Sequence, residues 1–223
     1  MTSPLAGKVA LITGSTQGLG LAAARQFEAA GCTIIVNGFA DGKYVGADLR
    51  KLSEIEAMIR FAGRVDILVN NAVVRHSAPV EQFTADAWND SLAVNLSAAF
   101  HTIRLALPGM KARGWGRIIN VSSIYGQRGA ANRVGYVTTK TALIGLTRAI
   151  ALEVVNTGVT CNAVCPGTID VPMHQGKDLT GKQPTGRLIP TSDVADLMLF
   201  LCGPSSNDIN GSIFPIDAAW SVS

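Results

Sequence analysis

An α/β fold, a Rossmann-type doubly wound parallel sheet in three α/β/α layers, is what three features of this sequence predict. Short runs rich in Val and Ile alternate with stretches of helical periodicity, a glycine string directly follows the first run, and the runs are apolar throughout rather than at every second residue. Alternating strands and helices build parallel sheets, and strands covered by helices on both faces have no polar side to display.

Apolar runs at 9–12, 33–36, 65–69, 117–121, 159–164 and 212–216 predict the strands. Helical spacing at 18–30, 51–62, 87–113, 134–156 and 191–202 predicts the helices, with Pro108-Gly109 interrupting the third and Thr191-Ser192-Asp193 capping the last. No repeat or interdomain linker divides the 223 residues, so one domain, 1–223, is expected. Its loop at 173–187, before the last helix, suits a substrate lid. One connection is short: only 38–43 separate the second strand from a candidate strand at 44–47, too few for a helical crossover. Either a bare loop returns the chain to the sheet, or 44–47 is not a sheet strand.

Composition narrows the function. Net charge is +3 with Lys and Arg scattered, which argues against nucleic acid as a partner, and no apolar run reaches the ~20 residues of a membrane span. Cys32, Cys161, Cys165 and Cys202 form no C-x-x-C pair, sit in apolar stretches and gather no further ligands into a metal site. With no leader-like start, the expected location is cytoplasmic. At 48% apolar residues, surface covered by other subunits is expected.

Gly14, Ser15, Gln17, Gly18, Leu19 and Gly20 lie between the first strand and the first helix, where glycines allow close backbone approach and the helix N-terminus offers N–H groups to a pyrophosphate. At the end of the second strand, Asn37-Gly38-Phe39 carries neither the acid that holds a ribose diol nor an arginine for a 2′-phosphate. Asp41 or Lys43 is the nearest substitute. Since the glycine loop carries Gln17 and no arginine, NAD is preferred over NADP.

Tyr136 and Lys140 stand four residues apart, on one face of a helix, with Ser123 thirteen residues upstream at the end of a strand. A phenol titrates near ~10 and needs a neighbouring cation to trade protons near neutrality. Lys140 is placed to be that cation, and Ser123 to hydrogen-bond the reacting oxygen.

In this order along the chain, these residues resemble the short-chain dehydrogenase/reductase family. Thr13 to Gly20 matches its Thr-Gly-x-x-x-Gly-x-Gly loop, Asp48 followed by Leu49 the acid facing adenine, Asn70-Asn71-Ala72 the stretch after the next strand, and Asn95 the helix asparagine of the proton relay. Ser123, Tyr136 and Lys140 match the catalytic positions, and Pro166-Gly167, with Ile169 beyond, the turn beside nicotinamide. The resemblance implies that Tyr136 is the general acid/base, that Lys140 lowers its pKa and holds the nicotinamide ribose, that Ser123 orients the substrate oxygen, and that Asn95 supports a water. It also implies a homotetramer, or a homodimer, with a small-molecule alcohol or ketone as substrate.

Three positions depart from the pattern: Val73 replaces a glycine, Val171 replaces a threonine near which Thr168 stands, and the loop after the second strand is short. Several stretches are similar to 3-hydroxybutyrate dehydrogenase-like members, in which a small carboxylate is held near the trio. Arg75, Tyr125 and Arg133 take those substrate positions here, and the two arginines suit a carboxylate clamp. The expected activity is therefore interconversion of a secondary alcohol and a ketone, with a small hydroxy acid as candidate substrate. The alternatives are an NADPH-preferring ketone or 3-oxoacyl-type reductase and a catalytically lapsed dinucleotide-binding regulator.

Overall fold

Side-chain alternation along the strands sorts this chain into layers. In the computed structural model, which describes residues 3–40, 42–174 and 183–223, Ala10 and Ile12 of β1 (Val9–Ile12) face one side while Leu11 faces the other. The same division runs through β5 (Ile67–Asn70) and β6 (Gly116–Val121): Ile67, Val69, Ile119 and Val121 on the first side, Leu68 and Ile118 on the second. Helices α1 (Gly18–Ala29) and α6 (Thr191–Cys202) cover the first face. Helices α2 (Leu52–Ala62), α4 (Ala98–Ala112) and α5 (Val134–Glu153) cover the second. Both faces are dry, so strands such as β6 and β7 (Val159–Pro166) are buried at every residue.

The six strands pair in parallel in the order β2-β1-β5-β6-β7-β8, where β2 is Thr33–Val36 and β8 is Ile213–Ile216. Strand order reverses between β1 and β5, and that switch point opens a crevice beyond the carboxyl ends of the strands. A buried polar ladder ties the centre together. Asn70 Nδ2 donates to Asn120 Oδ1 at 2.9 Å, Thr102 of α4 donates to Asn70 Oδ1 at 2.8 Å, and Asn120 Nδ2 donates to Thr147 of α5 at 2.9 Å. Each member is satisfied, so the network fixes register between sheet and helices without leaving an unpaired buried group.

One open alternative is decided and three local expectations are corrected. Residues 44–47 supply no strand to the main sheet: β3 (Gly38–Ala40) and β4 (Lys43–Val45) form a separate antiparallel hairpin, leaving β2 at the sheet edge. Pro108 does not interrupt α4, which runs on through it to Ala112. The long predicted helix is broken elsewhere, at a π-helical turn Ala93–Ser97 between α3 (Ala85–Leu92) and α4. Thr191 to Asp193 do not cap α6; Pro190 holds the cap position and Ser192 Oγ donates to Asp193 instead. No helix among the described residues is long and apolar enough to cross a membrane.

Candidate active site

A cleft of about 590 Å³ lies over the carboxyl ends of β1, β5, β6 and β7. Its floor is the glycine loop. Gly14 and Gly18 have φ of +66° and +54°, and a Cβ on Gly20 would stand 2.1 Å from the Gly14 carbonyl oxygen, so α1 can start this close only with glycine there. Asn71 clasps the loop by donating its amide to the Thr13 and Gly14 carbonyls at 2.9 and 3.1 Å, while the Asn71 and Ala72 N–H groups donate to Thr13 Oγ1, both at 3.0 Å. The resulting cradle of backbone at a helix N-terminus fits a dinucleotide pyrophosphate. Gln17, Leu19 and Ala72 line it as expected, and so does Val73. Ser15 does not. Its side chain is buried and exchanges hydrogen bonds with the Asn37 backbone, docking the loop onto the end of β2.

At the reaction end, Ser123, Tyr136 and Lys140 all line the cleft, together with Pro166, Gly167 and Ile169. Ser123 Oγ accepts from the Tyr125 N–H at 3.2 Å, capping a helical turn over Ile124–Gly126. Its neighbour Ser122 donates to the Lys140 carbonyl at 2.7 Å and so fastens α5 against β6. Lys140 is 2% exposed, and its ammonium donates to the Val121 carbonyl at 2.6 Å. Burial, with the nearby Arg75 guanidinium adding to it, pushes that lysine from an ordinary 10.5 down to about 7. Asn95 is buried in the π-helical turn rather than facing the cleft: its amide brackets the Val74 backbone, accepting from N–H at 2.8 Å and donating to the carbonyl at 3.0 Å, and also donates to Thr139 of α5. Asn95 thus holds the loop that carries Arg75.

The three expected substrate residues part company. Arg75 lines the cleft, its guanidinium carbon 5.5 Å from the Tyr136 ring centroid. Tyr125 lies behind Tyr136, edge-on to it at 6.2 Å and in turn edge-on to Trp220 at 5.5 Å, and is not a lining residue. Arg133 sits at the cap position of α5, outside the lining residues, because the chain turns there into the helix. The paired-arginine clamp is therefore replaced by Arg75 alone. Thr168 also points away from the cleft; its backbone is held by Gln183, which accepts from the Thr168 N–H at 3.0 Å and packs over Gly167. Val171 lines the wall beside Gly18. Of the expected lid, 175–182 lie outside the described residues.

At the adenosine end, Phe39, Asp48 and Leu49 line the cleft. Asp48 is buried and receives a two-point hydrogen bond from Arg50, at 2.9 Å to each oxygen, which holds its carboxyl below the usual range. Arg50 also reaches Asp90 at 3.8 Å, and Asp90 pairs with His76 at 2.9 Å. Phe39 is half exposed on the hairpin. Asp41 lies outside the described residues, and Lys43 is exposed.

Comparison with known proteins agrees with this geometry. The short chain dehydrogenase family model matches residues 8–181. The chain belongs to the short-chain dehydrogenase family. This dehydrogenase is 40% identical to a D-beta-hydroxybutyrate dehydrogenase of Cupriavidus necator, over 97% of this chain and 98% of the relative. It is 33% identical to a 2-keto-3-deoxy-L-fuconate dehydrogenase of Xanthomonas campestris, over 97% and 81%. A solved Agrobacterium tumefaciens structure, provisionally named a gluconate dehydrogenase, superposes with a TM-score of 0.92 at 29% identity, covering 100% of this chain and 99% of that one. The dehydrogenase is thus an oxidoreductase that interconverts secondary alcohols and ketones.

Sequence reasoning missed Arg50, Gln183 and the Tyr125–Trp220 stack. Arg50 lies two residues after Asp48, a spacing at which a bidentate pair can form, so a signal existed. Gln183 and Trp220 meet their partners only through tertiary contacts and left none.

Proposed function

We propose that the chain oxidises a small hydroxy acid, or reduces the matching keto acid, with NAD. One observation carries this reading: Tyr136, Lys140 and Ser123 converge in the cleft beside Arg75, whose guanidinium carbon is 5.5 Å from the Tyr136 ring centroid. The Tyr136 phenol, ionised, takes the proton of the substrate hydroxyl; Ser123 Oγ hydrogen-bonds the same oxygen and fixes its direction. Lys140 passes the proton on, and Asn95 supports the relay by holding the Val74 backbone. The bound dinucleotide supplies the acceptor for the hydride that leaves the carbinol carbon. Arg75 takes the substrate carboxylate. The relatives named for hydroxy or keto acids fit this choice.

The NAD preference rests on the adenosine end, where the cleft-lining cation Arg50 is bound to Asp48 and the glycine loop carries none. Exposed Lys43 on β4 favours a second reading, NADPH-preferring reduction, which a comparison of both cofactors in one assay decides. Four buried, unpaired cysteines suit the reducing cytoplasm, and half-exposed Phe100 on α4 and exposed Leu152 on α5 suit a homotetramer.

Tyr136→Phe tests the assignment. We expect kcat to fall about 10³-fold while NADH affinity, read by fluorescence, stays within about twofold. Unaltered turnover rejects the role of Tyr136. NADH binding without turnover of any member of a broad alcohol and keto acid panel would favour a lapsed regulator.

A further inference from the structure

A short segment following β8 reaches two parts of the reaction site from outside the cleft. The Gly167 N–H donates to the Ile216 carbonyl at 3.0 Å, which ties the Pro166–Gly167 turn to the end of β8. Asp217 comes next, 6% exposed, and a Cβ on Gly167 would stand only 3.0 Å from its Cα. Ala218 and Ala219 follow with φ of +54° and +67°. Two consecutive left-handed residues that are not glycine carry backbone strain, and such strain persists only where the surroundings over-determine it. Here they do. The Asp217 carboxyl accepts from the Ala219 N–H at 3.1 Å and from the Ser221 N–H at 2.7 Å. The Trp220 N–H donates to the Asp217 carbonyl at 3.1 Å, and Arg128, from the segment between β6 and α5, donates to the Trp220 carbonyl.

The product of that strained bend is the direction of one ring. Trp220 meets Tyr125 edge-on, with centroids 5.5 Å apart and planes at 75°, and Tyr125 meets Tyr136 edge-on at 6.2 Å and 77°. Neither Tyr125 nor Trp220 is among the residues that line the cleft. Helix α5 fixes where the Tyr136 backbone stands, but an aromatic residue in a helix can take χ1 of about 180° or −60°. Edge-to-face contacts are directional, so the ring packed behind Tyr136 selects its orientation.

We propose that Ile216–Trp220 is a splint that sets the Tyr136 ring relative to the Pro166–Gly167 turn, with Asp217 and Trp220 as positioning residues acting through Tyr125. This rests on Tyr136 being the base. Oxidation takes a proton to Tyr136 and a hydride to the cofactor, and the substrate must face both acceptors at once. One stretch of chain that touches the turn at Gly167 and backs the base through Tyr125 fixes these two walls of the cleft against each other.

The test separates ring placement from folding and from binding. In Trp220→Ala, kcat for a secondary alcohol with NAD falls about tenfold or more, while NADH affinity, read by fluorescence, stays within about twofold. The solvent deuterium isotope effect on kcat grows, because proton transfer to a misdirected phenol is slower. Trp220→Phe, which keeps a ring edge for Tyr125, regains most of the loss, and Asp217→Ala reproduces it. In a Tyr136→Phe background, Trp220→Ala lowers the residual rate no further, since the splint acts only through that ring. Wild-type kcat in Trp220→Ala overturns the proposal, and so does a loss in Trp220→Phe as large as in Trp220→Ala. A raised KM with unchanged kcat also overturns it, by making Trp220 a substrate contact. Unaltered turnover in Tyr136→Phe alone rejects the base itself, a failure visible without any splint variant. Should Trp220→Ala lose its cooperative thermal transition or its wild-type sedimentation, Trp220→Leu carries the same measurements.

Discussion

The two ends of the cleft are built to different standards. At the end holding Tyr136, three of its neighbours are held by hydrogen bonds: Ser123 caps a turn, Lys140 is fastened by Val121 and by Ser122 below it, and Asn95 grips Val74 from both sides. At the adenosine end the hairpin β3–β4 stands outside the main sheet, and its Phe39 is half exposed. Geometry that must be met to a fraction of an ångström is bought with buried hydrogen bonds, whereas grip on a distant nucleoside tolerates looser support. The contrast predicts that damage at one end abolishes chemistry and damage at the other only weakens binding.

The sharpest way to break the comparison is Lys140→Met. Turnover should fall by about 10²- to 10⁴-fold. The same change should stabilise the fold by an amount on the order of a few kcal/mol, because a desolvated ammonium is removed. The sign of its pH dependence follows from a folded value lowered to about 7 from 10.5. Between those two pH values the unfolded chain holds a proton that the native one has released, so wild-type stability rises with pH there. The advantage of the methionine variant is thus largest below pH 7 and shrinks toward pH 10.5. Thermal melts from pH 6 to 10 check this, and a difference that does not change with pH rejects it.

Gly20→Ala comes next. Its Cβ meets the Gly14 carbonyl oxygen at 2.1 Å and the Asn71 amide at 2.6 Å, so either the loop or the start of α1 must shift. NADH affinity should drop at least about tenfold, given that one lost bidentate-quality contact approaches 1.4 kcal/mol or more. Calorimetric titration at wild-type affinity would show that the cradle has more room than the glycine implies.

The smallest effect is expected from Arg50→Ala. With 46% of its side chain exposed, this cation holds Asp48 in water-screened surroundings. NADH affinity should weaken by no more than about fivefold, with kcat unchanged. A loss of kcat comparable with that of Lys140→Met would erase the distinction between the ends.

What was readable in the sequence follows the range of the interactions involved. The glycine loop and the Tyr136–Lys140 pair are local patterns, fixed by a strand-to-helix turn and one helical turn, and both stand where their spacing placed them. Helix α6 was bounded correctly because its apolar period and the flanking Pro190 and Gly203 are local too. The hairpin was legible and overlooked: Asp-Gly at 41–42 is a strong two-residue turn signal, and Gly42 has φ of +75°. The π-helical turn at Ala93–Ser97 was not, because nothing in its composition distinguishes it from the helices on either side. Nor was the separation of Arg133 and Tyr125 from the cleft, which depends on how the segment between β6 and α5 folds over the rings of Tyr136 and Trp220.

The hairpin beyond β2 makes the cleft modular. Since among the described residues β3 and β4 pair only with each other, a change in the length of that segment leaves the register of β1, β5, β6 and β7 untouched. Doubling a surface loop costs only ~0.6 kcal/mol in closure entropy. Insertions there can exchange one nucleoside preference for another while Tyr136 and Lys140 stay where they are, which makes this edge of the sheet the natural grafting point for altering cofactor use.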